Sequence, residues 1–195
     1  MESHLLIHLI DMKKILLAIL GIFLINYCSA QTTLPPSQVD FEDYIKLTNE
    51  VYKHRKKRVI HVKEWLQMSK EPKTVILDTR SKAMYNAKHI KGAIHLNFSD
   101  FTQPRLNRLI PDKNTRILIY CNNNIGNEQE FFVSKMVMPS TKKEKKRMLA
   151  LNVPTFINLY GYGYKNVYEL ADLVDIHSGI LEFEGNSIPK KLKLK

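Results

Sequence analysis

The sequence predicts an α/β domain: a mostly parallel central sheet of about five strands flanked by helices. Three observations predict it. Thr74-Val75-Ile76-Leu77-Asp78 and Arg116-Ile117-Leu118-Ile119-Tyr120 are short apolar runs without polar alternation, the pattern of strands buried on both faces. Helix-like stretches separate such runs, the rhythm of parallel strands joined by crossovers. The length of 195 residues, 44% hydrophobic and 25% charged, suits one domain with a substantial core and leaves little room for two. Eight Pro and seven Gly exclude a collagen-like chain, and the apolar fraction argues against global disorder.

In chain order, residues 1–30 read as a secretory signal peptide. Lys13 and Lys14 precede the apolar run Ile15 to Ile25, and Cys28-Ser29-Ala30 supplies the small-x-small exit. The run is shorter than the roughly 20 residues that a bilayer requires. Cleavage after Ala30 places the protein outside the cytoplasm, periplasmic or extracellular. A membrane enters only if Cys28 is lipidated, and the bulky Tyr27 disfavours that reading. Removal takes Lys13, Lys14, Glu2 and Asp11, so the net charge stays at +11. It also leaves Cys121 as the single thiol, unable to form an intrachain disulfide.

Residues 31–57 form a lead-in, partly helical from Phe41 to Val51; the basic run Lys53 to Arg58 is a solvated edge or, alternatively, a patch for a membrane surface or a polyanion. The domain proper is expected over 58–187. Val59 to Val62 is a short β-branched stretch, and Lys63 to Lys70 around Trp65 is helix-like. Thr74 to Asp78 is a buried strand. Ser81 to Ala87 makes a short helix with Ser81 as its N-cap. Ala93 to Leu96 is a further strand, and Phe98 to Leu109 is mostly helical despite Pro104. Ile110 to Asn114 turns into the strand Arg116 to Tyr120. After Gly161 and Gly163, Asn166 to Leu170 is the last strand. Glu128 to Arg147 interrupts this rhythm and ends in a charge run; it reads as an insertion, mobile or partly helical. Residues 188–195 are a basic tail.

Cys121 directly follows the clearest strand, and ligands of open parallel sheets bind beyond the carboxyl ends of strands. The next six residues are Asn122, Asn123, Asn124, Ile125, Gly126 and Asn127. Asn and Gly enter left-handed backbone at low cost, so this loop can turn successive N–H groups onto one anion. A helix beginning near Asn127 would add its positive end. A free thiol of pKa about 8.5 is roughly 3% thiolate at pH 7; a nest lowering it by about two units would make the thiolate the major form. The same residues also fit a small apolar strand end followed by a polar turn.

Four motifs, over about Val59 to Gly185, resemble the rhodanese-like family of sulfurtransferase domains. They are Asp78-Thr79-Arg80, His89-Ile90-Lys91-Gly92-Ala93, Tyr120-Cys121 with its loop, and Gly163-Tyr164-Lys165-Asn166-Val167-Tyr168. The resemblance implies that Cys121 takes a sulfane sulfur as a persulfide and passes it on, with residues 122–127 holding the substrate. Its partners would be a small anionic sulfur compound or a protein thiol. Asp78, Arg80 and His89 support the loop. The chain departs from the family pattern in having Asn124 and Gly126 where a glycine and a basic residue are usual. It also has Met84 for an acid, Lys88 for a glycine, and Ala171-Asp172-Leu173 for paired glycines and tryptophan. Lys142, Lys143, Lys145, Lys146 or Arg147 is a candidate to replace the missing cation. A catalytically weak or inactive binding or redox-partner module is the alternative.

No cofactor is implied, and the scattered histidines stand at no metal-ligand spacing. A cysteine phosphatase would need an arginine where Asn127 stands. Net charge alone, without interleaved aromatics, does not make a nucleic-acid platform.

Overall fold

The computed structural model describes Lys14 and residues 34–188; the rest of the expected signal peptide and the tail from 189 lie outside the described residues. The chain divides into two units, Met1–Asp40 and Phe41–Lys195. In the first, residues 34–40 carry no helix or strand, and Leu34 and Val39 are exposed. Everything below concerns the second.

Its sheet has five strands, all parallel, in the order β1 (Val59–Ile60), β9 (Val167–Leu170), β5 (Arg116–Tyr120), β2 (Thr74–Asp78) and β4 (Ile94–His95). The predicted α/β class and parallel sheet are therefore those of the protein. Side chains alternate across a strand, yet both faces are covered, which is why β5 shows no polar alternation. Ile117 and Ile119 enter one core with Leu77, Leu106, Phe156, Leu159 and Val167. Leu118 and Tyr120 enter the other with Trp65, Ile90, Phe132 and Leu170.

Helices α1 (Phe41–Arg55), α4 (Gln103–Leu109) and α5 (Asn152–Gly161) supply residues to the first core; α2 (Val62–Ser69) supplies Trp65 to the second. α1 runs four residues beyond the expected end and buries Val51, with Leu47 packed beside it. The compact unit thus begins at Phe41 rather than 58, because the lead-in helix covers part of the sheet's core. The basic run is accordingly only partly a solvated edge: Arg55 donates to Glu169 at 2.6 Å, and His54 meets the carbonyl of Lys165 at 2.8 Å.

α3 (Lys82–Ala87) starts at the predicted cap, Ser81, whose hydroxyl accepts from the Met84 amide at 3.4 Å. The expected helix from Phe98 to Leu109 is instead a 3-10 turn, Phe98–Asp100, and then α4. Pro104 explains the break: it has no N–H and disfavours helix before it, so it sits in the first turn, with Thr102 capping behind it. Three small strand pairs were not foreseen. β3 (His89–Ile90) pairs with β11 (Phe183–Glu184), β6 (Ile125–Gly126) with β10 (Val174–Asp175), and β7 (Met136–Val137) with β8 (Arg147–Met148).

Candidate active site

The register of the sheet assembles the site. Asp78, last in β2, lies opposite Tyr120, last in β5, so everything following either strand emerges at one edge. There Asp78 is fully buried and Arg80 is 3% exposed, and burial of two charges demands pairing. Arg80 donates through Nη2 to Asp78 Oδ2 at 2.6 Å and through Nε to both carboxylate oxygens at 3.1 Å. The Tyr120 hydroxyl also donates to Asp78, and accepts from the Ile90 amide at 3.1 Å. His89 stacks on Tyr85 at 3.8 Å, and its Nδ1 meets the Tyr85 carbonyl at 2.6 Å. Asp78 and Arg80 thus share one buried network with Tyr120, whereas His89 is held by Tyr85 and its Nε2 lies 3.3 Å from Glu184 Oε1.

Cys121 is 1% exposed. Its Sγ accepts the Leu151 amide at 3.3 Å, and the Asn122 amide also bonds to it. Burial pushes the thiol pKa up, and these two amides pull against it without prevailing. The direction is opposite to the expected nest effect, because burial outweighs the amides. Asn122–Asn124 form a single 3-10 turn, in which the Asn124 amide goes back to the Cys121 carbonyl at 3.0 Å. The Ile125 amide goes back to the Asn122 carbonyl, and Ile125 and Gly126 pair with β10. Asn127 is left-handed, as its type permits, with φ 59°, but its side chain donates to Asp175 at 2.8 Å. The amides of Asn124 and Ile125 are thus bonded to carbonyls within the turn.

No helix begins near Asn127. The helix that points at the sulfur is α5, displaced to Asn152 by the insertion, with Leu151 as its N-cap residue. Sequence reasoning missed it. Its available signals were Pro154 in a first turn, apolar Phe156, Ile157, Leu159 and Tyr160, and Gly161 at the end. Asn124 ties the ends together. Its Oδ1 accepts from the Cys121 amide at 2.9 Å and from Asn152 Nδ2 at 2.8 Å, and its Nδ2 donates to the Leu170 carbonyl at 2.8 Å.

The insertion is neither helical nor loose against the body. Beyond the β7–β8 hairpin it caps the site. Phe132 is buried under the Arg80 guanidinium, 4.1 Å from its ring centre, and the Phe131 carbonyl accepts from Arg80 Nη1 at 2.8 Å. Lys88 pairs with Glu128, and Asn123 Oδ1 accepts from the Lys135 amide at 2.7 Å. Lys88, which replaces the usual glycine, thus has a role as a cap anchor.

Between cap and loop runs a groove of about 760 Å³, lined by all six residues from Asn122 to Asn127 but not by Cys121. Ala150 and Asn152 line it, while the amide of Leu151 between them is on the sulfur. None of Lys142, Lys143, Lys145, Lys146 and Arg147 lines the groove, so the expected replacement cation is not delivered there. Among the described residues, no cluster of His, Cys, Asp and Glu could hold a metal, and no helix is long and apolar enough to cross a membrane.

Compared with known proteins, residues 61–172 match the family model described as the Rhodanese-like domain. No curated protein matches the chain. Among solved structures it is similar to the BH2092 protein of Bacillus halodurans, with 20% identity and a TM-score of 0.39, over 64% of this chain and 75% of that one. It is also similar to the Alr3790 protein of Anabaena sp., with 24% identity and a TM-score of 0.33, over 54% and 65%. The matched segment takes in β2, β5, the Cys121 loop, the cap and β9, and the chain belongs to the rhodanese-like domain family.

Proposed function

We propose that the protein is an exported thiol sulfurtransferase that moves a sulfane sulfur through a persulfide on Cys121. The observation that supports it is the pair of backbone N–H groups, of Leu151 and Asn122, directed at a sulfur that ends the central strand. Backbone donors at a helix start favour a negative sulfur, whether thiolate or persulfide. In the first half-reaction the Cys121 thiolate attacks the outer sulfur of a donor. The donor's S–S bond breaks, its electron pair leaves with the donor fragment, and Cys121 carries –S–S⁻. In the second, an acceptor thiolate attacks that terminal sulfur. The new S–S bond forms on the acceptor, the old one breaks toward Cys121, and the thiolate returns. No net oxidation occurs.

Mass spectrometry after exposure to thiosulfate or inorganic polysulfide tests this. The expected result is one added sulfur on Cys121, lost on addition of a thiol; an unmodified Cys121 under both donors would refute it.

A second reading, a rhodanese-like binding or redox-partner module without turnover, is favoured by the 1% exposure of Cys121. It expects Cys121→Ala to keep partner binding and the cellular role, with no sulfur carried by the native protein.

A further inference from the structure

We infer that the groove beside Cys121 is a peptide site. It takes an uncharged or basic segment that bears the acceptor cysteine of a protein thiol, and it is unsuited to inorganic sulfur anions. The inference rests on the sulfur-transfer reading for its chemistry and adds the class of acceptor.

Two features of the lining carry it. The first is charge. In a chain of net charge +11, the groove's one lining cation is Arg55, already bound to Glu169 at 2.6 Å. Asp175 lines the groove as well, holding the His177 amide and the Asn127 side chain, neither of which cancels its charge. Arg55 and Glu169 offset each other, and Asp175 leaves the groove acidic. A small anion meets no free positive group there, whereas a lysine or arginine flanking the acceptor cysteine meets a carboxylate.

The second feature is size and texture. A groove of about 760 Å³ has the dimensions of sites for ligands of several hundred daltons, far beyond an inorganic ion. Phe132, Met136, Met148 and Leu173 give it apolar surface for side chains, and Met adapts its shape to varied partners.

Titration of the ¹⁵N-labelled protein with three peptides tests the inference. The peptides are acetyl-Lys-Ala-Ser-Ala-Lys-amide, the same with alanines at the ends, and the same with glutamates. Serine in place of cysteine makes binding readable without sulfur transfer, and sodium thiosulfate is titrated alongside. The expected result is a saturable shift of the Asn123, Gly126 and Ala171 amides with the lysine and alanine peptides. Affinity for the glutamate peptide should be about five- to tenfold weaker than for the lysine peptide, given exposed charge pairs worth ~0.2–1 kcal/mol each. Asp175→Asn, which keeps the ability to hold the His177 amide, should narrow that preference about threefold. A glutamate peptide that binds as well as the lysine one, thiosulfate saturating the same amides, or no peptide shift would each overturn the inference. If Cys121 never takes a sulfur but the lysine peptide fills the groove, only the enzymatic reading fails. If Cys121 takes sulfur and the peptides leave these amides unmoved, only the present inference fails.

Discussion

Replacing Phe132 by alanine should unseal Cys121. The ring is 1% exposed, carries the Arg80 guanidinium at 4.1 Å, and meets Phe183 edge-on at 5.8 Å. These partners belong to the body of the domain and Phe132 to the cap, so the lost contacts weaken the closed arrangement against one with the cap lifted. Truncating a buried Phe to Ala costs about 3–5 kcal/mol, with a cation–π contact of ~0.5–2 kcal/mol included in the loss. A thiol that reacts only from a locally opened state is labelled at a rate proportional to the open population. At about 1.4 kcal/mol per tenfold, a loss of 3 kcal/mol raises that rate by roughly two orders of magnitude.

The assay is iodoacetamide labelling of the native protein near neutral pH, followed by mass spectrometry. Leu106→Ala is the control, because Leu106 is fully buried in the core on the opposite face of the sheet and destabilises without touching the cap. The reasoning expects Phe132→Ala to accelerate labelling far more than Leu106→Ala does at matched thermal stability. Equal acceleration in the two variants would mean that the thiol reacts only on global unfolding. No acceleration in Phe132→Ala would mean that the cap does not guard it.

Arg80→Met should strand the buried Asp78 carboxylate and cost about 3–5 kcal/mol, lowering the thermal midpoint by roughly 10 °C by circular dichroism; a drop under about 3 °C would contradict the pairing's structural role. Gly185 has φ 138°, and a Cβ there would lie 2.4 Å from the Ala87 carbonyl oxygen, so Gly185→Ala should cost about 2 kcal/mol or more in a chemical melt. Burial pushes the Glu128 carboxyl up, but Lys88 and the amides of Glu130 and Phe131 outweigh that and hold it below its usual value. Its contribution to cap closure is therefore present above the open-state pKa of about 4.3 and is lost as pH falls through the lower closed-state value. Cys121 labelling by a disulfide reagent active in acid, normalised to the unfolded chain, should accelerate below about pH 4.3, and Glu128→Gln should flatten that rise.

The sheet was legible because β2 and β5 are five-residue apolar runs rich in β-branched residues, too short for a buried helix. Asp78 and Arg80 were singled out by the motif that carries the family resemblance. Tyr120 was not legible as part of their network. It reads as one more apolar strand residue, and only the register opposite Asp78 brings its hydroxyl to the carboxylate. The asparagine loop misled for a related reason. Asn favours the left-handed backbone of a nest, but its amide side chain also bonds backbone groups, and in Asn124 the second property decides the geometry. The cap was hidden by composition, since the charge run 141–147 is its exposed tip while its anchor is the pair Phe131-Phe132 ten residues earlier. The aromatic pair ahead of the charge run was the signal available.

The division of the chain around Ala150 bears on how a buried thiol could work. Leu149 belongs to the cap, its amide bonded to the Lys135 carbonyl at 2.7 Å. Leu151 belongs to α5, its carbonyl accepting from the Thr155 amide at 2.8 Å, and Thr155 is buried and meets Thr79 through their hydroxyls at 3.0 Å. A cap that lifts at Ala150 therefore leaves the Leu151 amide, and that of Asn122, on the sulfur. Lifting removes the burial that raises the thiol pKa and keeps the two donors that lower it. A form in which such lifting exposed the sulfur would therefore carry a more acidic thiol than the closed one. In the exported reading this matters, because a permanently exposed thiolate would be exposed to oxidation by its surroundings, whereas a gated one ionises when its site is open.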